Sequence, residues 1–213
     1  IVALSGLGGH AFGSFRERKG THMWLRDSLP GHVTSETDGK PMARVMVYGY
    51  ESAVAKSKCM QNIEDLSTTF HNSLLASVGA SPTRPIILIG HSLGGLIIKQ
   101  QRDFHRALGT EGDSEVFCFY ETLESPTAQE VDGQWEMTGP PTVLVTKSSA
   151  THCRPWEDGT EHICAIARTH SEMVKFGPHD PEYKNVKERI KGLSRRAVMA
   201  RRHLQTTTAK WTK

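Results

Sequence analysis

The sequence predicts an α/β fold, a mostly parallel β-sheet covered by helices on both faces. Short, almost continuously apolar runs alternate with amphipathic stretches along the 213 residues, which suits a single α/β domain with one full core. These runs lack the polar and apolar alternation of strands with one solvated face. Continuous apolar runs are typical of parallel strands buried between helices.

The predicted strands are five apolar runs bounded by glycine, proline or polar residues, over residues 1–4, 43–48, 86–90, 116–120 and 142–145. A short helix over residues 23–29 is expected to end at Pro30. After Asn62, a good N-cap, apolar residues recur at three-to-four spacing and predict a second helix. A third helix follows the strand at 86–90 and runs towards Leu108. Two long loops complete the prediction, the Pro- and Gly-interrupted residues 122–141 and the polar residues 147–168.

Residues 86–98 read IILIGHSLGGLII, a buried strand that passes through the pentapeptide GHSLG into an apolar helix. This arrangement is typical of a nucleophile elbow. Gly90 and Gly94 allow strand and helix to approach closely, while the sharp bend holds Ser92 in a strained conformation with its hydroxyl exposed. Ser92 is therefore the predicted nucleophile. The alternative is an ordinary glycine-rich turn between strand and helix.

The glycine-rich loop SGLGGH follows the first predicted strand. A tetrahedral oxyanion needs two backbone N–H donors, and we predict them from Leu93, the residue after the serine, and from Leu7 in this loop. A phosphate-binding role is disfavoured, because the loop matches neither GxGxxG nor a Walker sequence. No cofactor is predicted.

A serine hydroxyl needs a base, and the base needs an orienting carboxylate. Glu121 directly follows the predicted strand 116–120, where a parallel sheet would deliver it to the same edge as Ser92. It is the predicted acid, and Glu124, three residues further on, is the alternative.

His170 is the predicted base because it follows the strands in the order acid, then histidine, that accompanies such an elbow. Thr169 and Glu172 form a capping-box pattern, which predicts that His170 lies in the first turn of a helix. His152 and His162 compete for the role of base from the long loop that precedes it.

Charge is distributed unevenly along the chain. Residues 184–213 hold ten Lys or Arg against one acidic residue, a charge of +9, which leaves −6 for residues 1–183 of a chain with a net charge of +3. A mildly acidic globule argues against nucleic acid as a partner. Residues 193–213 are predicted to form a solvated basic linker or tail helix. The alternative is a weak contact with an anionic membrane surface, which would suit a lipid substrate.

The four cysteines include no CxxC pair and indicate a reducing compartment. No apolar run approaches the roughly 18 residues of a membrane span, so a cytoplasmic location is expected, with membrane association as an option. The chain opens on Ile1 in mid-strand without Met, which suggests an N-terminally incomplete sequence. No metal is predicted, since no zinc spacing fits the nearest candidate cluster, His152, Cys153, His162 and Cys164.

These residues resemble the serine esterase or lipase-like α/β-hydrolase family that includes GPI-inositol-deacylase-like proteins, especially the N-terminal hydrolase domains of fungal multidomain proteins. The resemblance covers most of residues 1–192 and implies an α/β-hydrolase domain there, with Ser92, His170 and Glu121 as nucleophile, base and acid. It also implies downstream NTPase, ankyrin or other repeat domains as partners. The matching segments are LSGLGGHAFGSF, THMWLRDSLP, ARVMVYGY, RPIILIGHSLGG, FCFYET, PTVLVTKSSATH and THSEMVKF.

The sequence departs from that family in two places. Ser5 stands where the family usually has His before the oxyanion glycine, a modest change because the donor is a backbone group. After Lys99 and Gln100 the family's next strand, an aromatic-Gly-x-Pro loop and a cap region are missing. We therefore expect an internal deletion near residues 100 and 101, and a sheet that lacks the first strands and one strand after the elbow helix.

The leading hypothesis is a serine hydrolase that cleaves carboxylic esters, of lipid or other acyl type, through an acyl-enzyme. The alternative is a catalytically inactive hydrolase-like module used for recruitment or signalling in a larger fungal protein. A third hypothesis is a fragment or mis-spliced gene model whose parent is the enzyme.

Overall fold

Strand β1 (Val2–Leu4) is the centre of a three-stranded parallel sheet, flanked by β2 (Met46–Tyr48) and β3 (Leu88–Gly90). All three residues of β1 are buried. Because successive side chains of a strand point to opposite faces, both faces of β1 are covered. The computed structural model describes residues 1–52, 61–78, 85–107, 114–151 and 159–211.

Small parallel sheets and helices make the structure mixed α/β, which is the class that the sequence predicts. The elements divide into two compact units, Ile1–Gly112 with Gly177–Lys213 as the first and Asp113–Phe176 as the second. None of the described helices is long and apolar enough to cross a membrane. After β1 the elements are, in chain order, a 3-10 turn (Gly13–Phe15), α1 (Trp24–Asp27), α2 (Leu29–His32), β2, α3 (Ile63–Val78), β3, α4 (Leu93–Ala107), β4 (Cys118–Glu121), β5 (Ser125–Val131), β6 (Gln134–Thr142), α5 (Lys147–Ala150), β7 (Ile163–Ile166) and α6 (Pro181–Trp211).

Helix α3 begins where the sequence predicts it, after an N-cap at Asn62. The Asn62 side-chain oxygen accepts the Asp65 N–H at 2.9 Å, and the Asp65 carboxylate accepts the Asn62 N–H at 3.0 Å. These reciprocal bonds satisfy two donors that the first helical turn would otherwise leave unpaired.

The core beside the three-stranded sheet joins β1 to α3 and α4. Partly buried side chains from β2 and β3 pack against this core, so one apolar cluster connects the sheet with both helices. Its buried members are Val2, Leu4, Leu66, Phe70 and Ile97.

A second apolar group surrounds Trp24 of α1, which is 1% exposed. The Phe15 ring meets it edge-on at 6.4 Å between centroids, and the Tyr183 ring of α6 lies 5.5 Å away. The sequence predicts one helix over residues 23–29 that ends at Pro30, and this is wrong. The chain forms α1 and then α2, and Pro30 lies in the first turn of α2, where its missing N–H breaks no helical hydrogen bond.

Helix α6 continues without interruption through residues 192 and 193, where the sequence predicts the boundary between the hydrolase domain and the basic tail. Its first half is anchored, because Tyr183, Val186 and Ile190 are buried along one face.

The second unit contains two separate strand pairs. β4 and β7 pair in parallel, with Glu121 opposite Ile166 at their carboxyl ends. β5 and β6 form an antiparallel hairpin. The residues of β4 and β7 are mostly half-buried, and Glu121 and Ile166 are the buried ones.

The hairpin corrects two predictions about residues 122–145. The predicted loop 122–141 forms β5 and β6, and the predicted strand 142–145 is wrong, since only Thr142 belongs to a strand. Asp132 and Gly133 have φ angles of 51° and 76°. An Asp-Gly pair with two positive φ angles is a favoured two-residue hairpin turn, so this signal was present in the sequence and was missed.

Strand β7 corrects a third prediction, because residues 147–168 were expected to form a polar loop. The run Ile163–Ile166 is short and apolar, and polar residues on both sides obscure it in the sequence. Its pairing with β4 supplies the backbone hydrogen bonds that neither strand could make alone.

The described strands do not form the single sheet that the sequence predicts. Within the described ranges β3 pairs with β1 alone, and β4 pairs with β7 alone. The other four predicted strands are each present at or near the expected position, at β1, β2, β3 and β4.

Phe70→Ala should destabilise the protein by about 3–5 kcal/mol, because it leaves a cavity in the core between β1, α3 and α4. Leu75→Ala on the same helix is the matched control, since Leu75 is 58% exposed, and we expect a change within about 0.5 kcal/mol. Urea denaturation followed by circular dichroism measures both. Equal losses of stability would contradict the assignment of Phe70 to the core.

Candidate active site

The chain turns sharply between β3 and α4, and Ser92 lies at this turn. Its φ angle is 53°, in the left-handed region that a residue with a Cβ rarely adopts. The His91 N–H donates to the Leu4 carbonyl at 3.1 Å, and the Gly95 N–H donates to the Ser92 carbonyl at 2.9 Å. The serine is exposed, so the turn presents its side chain to solvent.

Two glycines make this turn sterically feasible. A Cβ atom on Gly90 would lie 2.6 Å from the Gly95 Cα atom, and one on Gly94 would lie 2.6 Å from the carbonyl oxygens of Leu4 and Ser5. Contacts this short to backbone atoms cannot be relieved by a rotamer change. The close approach of α4 to β1 and β3 therefore requires glycine at both positions.

The glycine-rich loop after β1 packs against the serine. A Cβ atom on Gly6 would lie 2.8 Å from the Cβ atom of Ser92, so Leu7 follows a residue in direct contact with the turn. In the described part of the chain, neither the Leu7 N–H nor the Leu93 N–H has a hydrogen-bond acceptor. The first unit thus combines an exposed serine with two backbone N–H groups that have no acceptor among the described residues.

The second unit holds a carboxylate and a histidine in direct contact. Glu121 is the last residue of β4, and its side chain is 1% exposed. Its Oε1 atom accepts the Leu144 N–H at 2.6 Å and the Val145 N–H at 3.1 Å, while its Oε2 atom bonds to Nδ1 of His170. A carboxylate at Nδ1 selects the tautomer with the proton on that nitrogen, so the neutral ring carries its lone pair on Nε2.

The backbone around His170 forms a turn rather than the predicted helix. The N–H groups of Glu172 and Met173 donate to the Thr169 carbonyl at 3.0 and 3.1 Å, and no helix begins there. The position is still fixed, because the His170 N–H donates to the buried Ser125 Oγ at 3.2 Å.

The structure places the alternative acid, Glu124, and one of the two alternative bases, His162, outside the pair formed by Glu121 and His170. Glu124 is exposed and has no hydrogen bond or ion pair with any described residue. His162 precedes β7, whereas His170 follows it, so His162 lies at the end of the parallel pair away from Glu121. His152 lies outside the described residues.

Two members of the candidate His and Cys cluster for which no metal is predicted, His152 and Cys153, lie outside the described residues. Among the described ones, no group of three His, Cys, Asp or Glu side chains could hold a metal ion.

Sequence reasoning missed three partners of the Glu121 and His170 pair. Ser125 and the backbone N–H groups of Leu144 and Val145 are all supplied by the base of the hairpin or the chain that leaves it. Backbone donors have no signature in a sequence. A hairpin predicted from the Asp-Gly turn would have placed Ser125 opposite Pro140, and two register shifts in the strand pair move its partner to Thr142.

The predicted site residues therefore fall into two groups. Ser92, Leu7 and Leu93 belong to the first unit, and Glu121 and His170 belong to the second. No family model, curated protein or solved structure matches the chain.

Gly94→Ala tests the close approach of α4 to β1. The added methyl group would meet two carbonyl oxygens of the strand end, and we expect a loss of about 1–3 kcal/mol from overpacking. Gly31→Ala is the matched control, because Gly31 is also helical and a Cβ atom there would have nothing within 4 Å. The control should be neutral or stabilised by up to about 1 kcal/mol. Chemical denaturation compares the two, and an equally stable Gly94→Ala variant would refute the steric argument.

Proposed function

We propose that the protein is a serine hydrolase of the α/β-hydrolase type that cleaves carboxylic esters through a Ser92, His170 and Glu121 triad. The conformation of Ser92 carries the proposal. A serine with a positive φ angle, exposed between a parallel strand and a helix and flanked by glycines at which a Cβ atom would meet backbone atoms, is the arrangement that exposes the nucleophile in this chemistry.

The contact between Glu121 and His170 supports the same proposal from the second unit. A buried carboxylate that fixes the Nδ1 proton leaves Nε2 as the general base and stabilises the imidazolium once it forms. The proposal adds one step to these observations, that Nε2 of His170 receives the Ser92 proton.

In the proposed reaction Ser92 Oγ attacks the ester carbonyl carbon while its proton passes to Nε2 of His170. The carbonyl oxygen becomes an oxyanion, which the N–H groups of Leu7 and Leu93 bind. The tetrahedral intermediate collapses, and the alcohol leaves with the proton from His170. Water then attacks the acyl-enzyme with His170 as base, which releases the carboxylic acid and restores Ser92.

A catalytically inactive, hydrolase-like module for recruitment is the second candidate function. One observation favours it, the separation of β3 and β4 into different strand ladders within the described residues. The family that the sequence resembles is expected to have one continuous sheet there. The two candidates differ in whether Ser92 reacts.

Labelling with a fluorophosphonate probe tests the nucleophile directly. We expect one phosphonyl adduct at Ser92, mapped by mass spectrometry, because the probe forms a stable analogue of the tetrahedral intermediate only with an activated serine. Ser92→Ala and His170→Ala should abolish labelling. His179→Ala is the matched control, since His179 is exposed and lies outside the pair, and it should label like the wild type.

An unlabelled protein whose circular dichroism shows that it is folded would contradict the enzyme proposal and favour the recruitment module. Labelling of Ser92 that persists in His170→Ala would leave Ser92 reactive but remove His170 as its base.

Exchange of a carboxylate for an amide tests the acid. Glu121→Gln should lower kcat for p-nitrophenyl ester hydrolysis on the order of 10⁴-fold, because an amide no longer fixes the productive histidine tautomer. Glu124→Gln, a change of the same size at the exposed neighbour, should alter kcat by less than about twofold. The reverse ranking would make Glu124 the acid.

A further inference from the structure

The segment that follows β2 binds the glycine-rich loop at three points. The Tyr50 hydroxyl donates to the Ser5 carbonyl at 2.7 Å. The Ser52 Oγ donates to the Gly9 carbonyl at 2.7 Å, and the Ser52 carbonyl accepts the Gly8 N–H at 2.6 Å. Ser52 is buried, with 6% of its surface exposed.

The Leu7 N–H belongs to the peptide group between Gly6 and Leu7. The bonds to the Ser5 carbonyl and the Gly8 N–H fix the peptide groups directly before and after it. Within the loop, the Gly9 N–H donates to the Gly6 carbonyl at 3.0 Å. In a trans peptide the C=O and N–H groups point in opposite directions, and the described chain has no cis peptide. The bond to the Gly6 carbonyl therefore directs the Leu7 N–H away from the loop interior.

A glycine-rich loop does not keep such an arrangement by itself. Gly6, Gly8 and Gly9 can adopt both signs of φ at little cost, and Gly8 already has a φ angle of 66°. Rotation of the Gly6 to Leu7 peptide plane would replace the N–H donor by a carbonyl oxygen. Anchors on either side of that plane oppose the rotation.

We propose that Tyr50 and Ser52 are positioning residues, which hold the glycine-rich loop so that the Leu7 N–H remains available as an oxyanion donor. The inference rests on the proposed function, because only a serine hydrolase would use the Leu7 N–H to bind an oxyanion. Neither residue is expected to touch the substrate.

Steady-state hydrolysis of p-nitrophenyl butyrate by the full chain tests the inference. Removal of one oxyanion donor lowers kcat by about 10²–10³-fold, and partial misorientation should cost less, so we expect Tyr50→Phe and Ser52→Ala each to lower kcat about tenfold or more. KM should stay within about twofold, since the oxyanion exists only after attack. The affinity for a trifluoromethyl ketone, which forms a tetrahedral adduct with serine, should fall by the same factor as kcat/KM.

Tyr48→Phe is the matched control. The Tyr48 ring stacks on the Tyr50 ring with 6.2 Å between centroids, but its hydroxyl has no hydrogen-bond partner among the described residues. We expect unchanged kcat for this variant. Burial raises the pKa of Tyr50 to about 12, so its hydroxyl stays protonated and the effect of Tyr50→Phe should be constant from about pH 6 to about pH 9.

The outcomes separate this inference from the proposed function. Turnover that depends on Ser92, together with unchanged kcat in both Tyr50→Phe and Ser52→Ala, overturns the inference alone. An equal loss in Tyr48→Phe also overturns it, because the effect would then come from packing. Absence of turnover that depends on Ser92 in the wild type overturns the proposed function and the inference together.

Discussion

The close approach of α4 to the carboxyl ends of β1 and β3 is the constraint on which the first unit depends. No Cβ atom fits at Gly90 or Gly94, so the backbone of the helix start lies directly on the strand ends. Ser92 lies at the turn between β3 and α4 with a φ angle in the left-handed region and packs against the loop that leaves β1. The core stabilises this contact, because Leu4 and Ile97 are both completely buried. The strain at Ser92 is therefore offset by packing elsewhere in the unit.

A buried carboxylate imposes the corresponding constraint on the second unit. Burial of a charge is costly unless several donors satisfy it, and Glu121 is bonded to two backbone N–H groups and one histidine. The chain enters the hairpin shortly after Glu121 and, once it leaves the hairpin, passes beside Glu121 again. Its first residue, Ser125, pairs with Thr142 and also accepts the His170 N–H. The hairpin thus brings together hydrogen-bond partners of Glu121 and His170. This role does not depend on the exposed residues of its strands.

An element of this fold could be predicted from the sequence where the residues that determine it lie close together in the chain. The turn at Ser92 is encoded by glycines within four residues, and Asn62 acts on the first turn of its own helix, so both could be predicted from the sequence. Glu121 could be placed because it ends an apolar strand. Its donors come from residues more than 20 positions later and are backbone groups, which every sequence contains. Strand β7 was missed because its four residues acquire a clear identity only through pairing with β4. The division into separate strand ladders depends on tertiary pairing that no single run of residues reveals.

The dependence of the glycine-rich loop on Tyr50 and Ser52 follows from the sheet itself. A loop that must pass within contact distance of Ser92 cannot carry side chains there, since even a methyl group on Gly6 would clash. Such a loop has few anchors of its own, so they must come from a neighbouring segment. β1 and β2 are parallel, with Leu4 in register with Tyr48, and parallel strands end at the same edge of a sheet. The residues that follow β2 are therefore the ones already placed beside the residues that follow β1. The loop beside Ser92 has no room for side chains of its own, and the parallel pairing of β1 and β2 places the next segment beside it. Together these two facts explain why Tyr50 and Ser52, two and four positions beyond β2, hold the loop.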